Sequence, residues 1–135
     1  MKPFYKLLDW IDINKINITN LSCNEHDEAI EILKTKFESI NWSMLSSNNN
    51  DKAIEILEKN FSKINWRYFS INNNDKAIQI LKNNIDKINW SNLNINENSK
   101  AINILLDNQN KINCDTFSYN KNNIAIEFIK KNQKK

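Results

Sequence analysis

One histidine, His26, and two cysteines, Cys23 and Cys114, are the side chains of this 135-residue chain best suited to nucleophilic or general acid–base chemistry. Such chemistry needs a nucleophile, a base and an orienting group held together, and a single imidazole removes most routes to it. His26 stands in the polar run Asn24-Glu25-His26-Asp27, where we expect a solvated helix cap. Glu25, Asp51 and Asp75 also fall at expected helix starts, a position that favours carboxylates through the helix dipole without any metal. No Cys/His group has zinc spacing, and a chain without glycine cannot build the usual phosphate-cradling loops. Trp42, Trp66 and Trp90 could stack on nucleobases, but each shares a periodic column with apolar residues, and core packing is the expectation. The residues therefore predict no enzyme, no cofactor and no metal site.

The elements that carry these residues are set by composition and by repetition. The chain fits one domain, with 40% hydrophobic and 26% charged residues and a formal charge of +3. Acids are interspersed with bases up to a lysine-rich end, whereas a nucleic-acid binder more often shows a basic stripe. Met1-Lys2-Pro3-Phe4 leads into a mixed segment unlike a signal peptide, and no apolar run approaches the roughly 20 residues that span a bilayer. With two lone cysteines in place of a disulfide framework, the expectation is an intracellular protein without a membrane segment. Asn makes up about a fifth of the residues. Because Asn, Ile and Lys share AT-rich codons, their joint excess reads as base bias and carries no functional signal.

A period of 24 residues runs through the chain. Ala29-Ile30, Ala53-Ile54, Ala77-Ile78, Ala101-Ile102 and Ala125-Ile126 recur in register, as do Ile40-Asn41-Trp42, Ile64-Asn65-Trp66 and Ile88-Asn89-Trp90. Further columns hold Leu33, Leu57, Leu81, Leu105 and Ile129; Leu21, Leu45, Phe69, Leu93 and Phe117; and Ile13, Phe37, Phe61 and Ile85. Within one unit Ile54, Leu57, Phe61 and Ile64 follow the amphipathic helical spacing. Asn48-Asn49-Asn50-Asp51 supplies capping residues before it. This predicts a long helix over 51–60, closed by Asn60 in the left-handed conformation that Asn tolerates. A shorter helix is predicted over 62–70, with Trp66 and Phe69 facing the core.

Each such hairpin cannot bury its apolar face alone, so stacking must complete the core. The expected fold is all-α: an elongated α-solenoid of about five 24-residue helix-turn-helix repeats in one domain over 1–135. Residues 1–20, with Phe4, Tyr5, Leu7, Leu8, Trp10 and Ile11, read as an amino-terminal cap. Repeats follow at about 21–44, 45–68, 69–92 and 93–116, and 117–135 is a carboxyl-terminal cap and basic tail. In this frame Cys23 and Cys114 lie nearly four units apart and should be free thiols.

The columns resemble the Asn-rich repeats of uncharacterised proteins of giant DNA viruses, whose units read approximately L-S-x-N-P-N-A-I-x-L-L-E-x-N-P-x-K-I-N-W. The matching residues are Leu45-Ser46, Asn48, Ala53-Ile54, Leu57-Glu58, Asn60 and Lys63-Ile64-Asn65-Trp66, with equivalents in the flanking units from about Leu7 to Ile129. The Pro of that turn is absent here, and the unit is two residues longer than the common 22. The resemblance implies a viral source, with the host cytoplasm or virion as location, and an interaction role.

Function is then expected where residues vary on the fixed frame: Ser43-Met44, Arg67-Tyr68, Ser91-Asn92 and Asp115-Thr116. Repeat proteins bind through such a face, and Arg and Tyr are common interface anchors. Ser43, Met44, Arg67, Tyr68, Ser91 and Asn92 are the expected contact residues for a protein partner in a scaffold module. The alternative is a nucleic-acid-binding helical repeat protein.

Overall fold

The computed structural model describes residues 12–132; the amino-terminal cluster Phe4 to Ile11 and Lys134–Lys135 lie outside that range. Every regular element among the described residues is helical, so the fold is an all-α helical repeat. Short helices α1 (Ile18–Cys23), α3 (Trp42–Ser47), α5 (Trp66–Phe69), α7 (Trp90–Asn94) and α9 (Cys114–Phe117) alternate with long helices. The long ones are α2 (Asp27–Thr35), α4 (Asp51–Lys59), α6 (Asp75–Lys82), α8 (Ser99–Asp107) and α10 (Asn123–Asn132). Long helices pack in the order α2, α4, α6, α8, α10, and short helices pack on their counterparts one unit away, as α1 on α3, α3 on α5 and α7 on α9.

The second element of the unit differs from the continuous helix expected over 62–70. A 3-10 turn, Phe61–Lys63, comes first. Ile64 (φ −62°, ψ 122°) and Asn65 (φ −85°, ψ 96°) then run extended, and the helix restarts at Trp66. The break has a local cause: the Asn65 side chain accepts from the Tyr68 N–H and so begins a new helix, the competition with helical bonding expected of Asn. Asn41 one unit before, Asn89 one unit after and Asn113 two units after do the same.

The core is the inside of the stack. Ala53, Ile54 and Leu57 of α4 are fully buried with Leu45 and Phe69 of the short helices, and the pattern recurs in Ala77, Ile78, Leu81 and Leu93 and in Ala101, Ile102, Leu105 and Phe117. Each such Leu, Ile or Phe contributes about 1.5–3 kcal/mol on burial. The buried Ala column sets a small side chain between successive long helices and lets them approach closely. One column departs from expectation: Phe37, Phe61 and Ile85 are 39%, 43% and 39% exposed. They sit on the 3-10 turns, outside the helical stripe, because the backbone breaks there.

Asparagine, read from the sequence as compositional bias, carries the polar architecture. The buried Asn48, Asn72, Asn96 and Asn120 form a ladder in which each Nδ2 donates to two backbone carbonyls of the preceding unit. Asn72 reaches Ser46 O (3.0 Å) and Asn48 O (2.8 Å); Asn96 reaches Ser70 O and Asn72 O; Asn48 and Asn120 repeat the pair. Each Oδ1 meanwhile accepts from the N–H two residues on, as Asn72 does from Asn74. Asn50, Asn74, Asn98 and Asn122 bridge the next seam, capping their own helix with Oδ1 and donating back to the preceding unit, for example Asn74 to Asn49 O and Asp51 Oδ1.

A third column binds the short helices. The Asn65 N–H donates to Ser46 Oγ, whose hydroxyl donates to Trp42 O, and Ser22 and Ser70 act alike toward Asn41 and Asn89. Asn94 takes the serine's place in the last copy, with Oδ1 accepting from Asn113 N–H and Nδ2 donating to Trp90 O and Lys111 O. Asn60 closes α4, and Asn84 follows the Asn83 that closes α6, but neither is in the left-handed region: φ is −126° and −135°, and no described residue has positive φ. Their amides donate instead to Ile56 O and Ile80 O, four residues back. As a result no buried side-chain N or O among the described residues lacks a partner.

Candidate protein-binding face

The varied residues of the short helices form one strip, because α3, α5 and their neighbours stack in register. Asn41, Asn65 and Asn89 fix the first turn of each helix and so set which side chains turn outward. Arg67 and Ser91 are exposed, while Ser43, Met44, Tyr68 and Asn92 are half-buried. Two of the six belong to the frame: Ser43 Oγ accepts from Asn65 Nδ2 (2.9 Å), and Asn92 Nδ2 donates to Arg67 O (2.6 Å). Met44, Arg67, Tyr68 and Ser91 remain as side chains with no hydrogen bond or ion pair to the frame.

Three residues missing from the expected set extend this strip. Ile71, Ile95 and Tyr119 follow Arg67, Ser91 and Asp115 by one helical turn, the offset that puts side chains on one face. Ile95 is 49% exposed and Tyr119 79%; Ile71 is half-buried. The sequence did carry a signal, since Ser47, Ile71, Ile95 and Tyr119 share the 24-residue register. That column mixes polar and apolar types and so does not look like core.

At the other end of each short helix lies a second apolar line. Phe37 stands edge-on to Trp42 (centroids 5.3 Å) and Phe61 to Trp66 (5.2 Å), while Trp66 also meets the buried Phe69 (5.7 Å). The tryptophans are half-buried, less enclosed than the expected core placement. Lys111 Nζ lies 5.8 Å from the centre of the Trp90 ring, a cation–π distance.

The long-helix side is occupied by ion pairs between units. Lys52 Nζ meets Asp27 and Glu31, each at 3.2 Å; Lys76 meets Asp51 (2.9 Å) and Glu55 (3.7 Å); and Lys100 meets Asp75 (2.6 Å). The Asn74 amide and then the Lys76 ammonium hold the Asp51 carboxyl below its ordinary value. Lys100 and then Asn98 do so for Asp75, and Lys34 and then Lys52 for Glu31. The Asp27 and then the Glu31 carboxylate raise Lys52, and Asp51 raises Lys76. Gln79 stands where Glu55 and Glu31 stand one and two units earlier. An open groove of about 270 Å³ lies between α6 and α8 there, lined by Gln79, Lys82, Lys100 and Asp107 among others.

The residues that tempted a chemical reading are placed apart. His26 caps α2, with Nδ1 accepting from the Glu28 N–H. Cys23 and Cys114 are exposed free thiols. No group of three or more His, Cys, Asp or Glu among the described residues could hold a metal ion, and no described helix is long and apolar enough to cross a membrane. No protein-family model, no curated protein and no solved structure matches this chain.

Proposed function

We propose that this chain is a non-enzymatic protein-binding module, a scaffold that holds a partner on the short-helix strip. The observation that carries the reading is the strip itself: Met44, Arg67, Tyr68, Ile95 and Tyr119 vary in chemistry from unit to unit on a frame whose buried side-chain nitrogens and oxygens, among the described residues, all have partners. Exposed Tyr, Arg and large aliphatics are the residue types that dominate interface energetics, and folding the frame does not require these particular identities. The resemblance to repeats of giant DNA viruses supports a viral scaffold protein, working in the host cytoplasm or in the virion.

A nucleic-acid reading has one observation in its favour, the Lys63, Lys87 and Lys111 column beside Trp66 and Trp90. Capture from host or infected-cell lysate, with and without nuclease, separates the two. A protein retained by the wild type after nuclease and lost by an Arg67→Ala/Ile95→Ser/Tyr119→Ser variant is the expected result. Recovery that disappears with nuclease, or that falls steeply between low and physiological salt, favours nucleic acid.

A further inference from the structure

The groove between α6 and α8 is on the long-helix side, and the short-helix strip makes no use of it. Its chemistry is set out by the same register two units earlier. Between α2 and α4 the Glu31 carboxylate is held by two ammonium groups through one oxygen, Oε1. One is Lys34, a turn further along the same helix (2.9 Å), and the other is Lys52 from the next unit (3.2 Å). These contacts, Lys34 first and then Lys52, keep the Glu31 carboxyl below its ordinary value. Two lysines from two units thus make a seat for one carboxylate through charge-assisted hydrogen bonds.

Two periods later both lysines are kept, as Lys82 and Lys100, while the acid between them has become Gln79. A carboxamide carries no charge to meet them, and the Gln79 Nε2 instead donates to Asn83 Oδ1 (3.3 Å). Lys100 retains Asp75 alone (2.6 Å). Lys82 has no ion pair or hydrogen bond to a described residue. The other interfaces lack this combination. Between α4 and α6 the acid is present as Glu55 and the second lysine is replaced by Glu58; between α8 and α10 the three positions are Asn103, Leu106 and Ile124. Of the four long-helix interfaces, the one between α6 and α8 alone keeps both cations and omits the acid.

The space between these side chains is a groove of about 270 Å³, with the buried Ile78 and Ile104 among its walls. Asn103 adds an amide on the α8 side, and Asp107, a turn further from Lys100, is the one acid of the lining. Negative charge is therefore favoured between Lys82 and Lys100 and opposed towards Asp107. The arrangement fits one carboxylate on an otherwise uncharged body and disfavours a dianion. We propose that this groove is a carboxylate-binding site, taking from a ligand the acidic group that Glu31 supplies within the chain two units earlier. The ligand is a monocarboxylate, either a small free acid or a single Asp or Glu side chain of a bound protein.

Amide NMR titrations of the full chain at fixed ionic strength test this with four probes: butyrate, inorganic phosphate, a short Ala- and Ser-rich peptide with one central Glu, and its Gln twin. Butyrate or the Glu peptide should give saturable shifts centred on Gln79, Lys82, Lys100 and Asn103. Its dissociation constant should lie at least tenfold below those of the Gln peptide and of phosphate. A preference for the Glu peptide over butyrate assigns the site to a protein's side chain, and the reverse preference assigns it to a small acid. Gln79→Glu, which restores the internal acid, should weaken carboxylate binding at least tenfold without lowering the melting midpoint, and Lys82→Gln should weaken it at least threefold. Ile95→Ser/Tyr119→Ser should leave it unchanged, so the result is independent of the short-helix strip. Equal shifts from the Gln peptide, phosphate binding as tight as butyrate, shifts that do not saturate, or binding that survives Gln79→Glu would each overturn the proposal.

Discussion

Two seams join the same units at nearly the same sequence offset, and they have been kept differently. The asparagine ladder is buried and present at all four interfaces, from Asn48 to Asn120, with the same two carbonyls each time. The ion-pair seam on the long helices is exposed and decays along the chain. Lys52 and Lys76 each meet two carboxylates, Lys100 meets one, and at the next interface the lysine position is Ile124 while Asn122 Nδ2 donates to Ser99 Oγ. Water explains the difference. A carbonyl left unpaired inside costs about 1–3 kcal/mol, whereas an exposed ion pair lost to solvent is replaced by hydration and contributes little.

The comparison is broken most severely by reversing one rung. Asn72→Asp keeps the shape and the Oδ acceptor for Asn74, but aims a carboxylate at Ser46 O and Asn48 O. A loss of about 4 kcal/mol near neutral pH is expected in a denaturant melt. Burial raises the pKa of such an Asp, so the loss should shrink as pH falls and the protonated acid becomes a donor. Asn72→Ala, which leaves both carbonyls unpaired, should cost about 3 kcal/mol, and a value below about 1 would mean that water replaces the rung. Trp66→Ala should cost about 2 kcal/mol, below the usual cost for a fully enclosed Trp, because the ring is half-buried.

The smallest effects belong to the exposed seam. Lys76→Ala should leave the unfolding midpoint unchanged within error at physiological salt, and an effect rivalling Asn72→Ala would refute the contrast. The seam carboxylates should instead appear in acid. Asp51 and Asp75 are held below 3.8 and Glu31 below 4.5. Their contribution is present above those values and is lost as pH falls through the lowered folded-state pKa, so stability should be level from about pH 5 upward and drop below about pH 4. Asp51→Asn should flatten part of that drop. Lys52 and Lys76, raised above 10.5, hold their contribution below that value and lose it only in stronger alkali.

Of the candidate face, the variable pairs were legible because they interrupt a strict column, and four of the six named side chains stand clear of the frame. Ser43 and Asn92 do not, since their bonds to Asn65 and Arg67 cross between units and no pattern within one unit reveals them. Ile95 and Tyr119 went unnoticed because their column changes character along the chain.

The sequence by itself determined the period, the helical class, the long-helix core and the amino-terminal caps of the long helices, since all of these follow from spacing within a turn or two of backbone. Only the tertiary structure decided which polar residues matter. Asn48 and Asn49 are identical neighbours in the chain, yet one is buried against two carbonyls and the other contacts Glu25 at the surface. Burial belongs to the stack, and the stack decides which of two equal side chains loses its water.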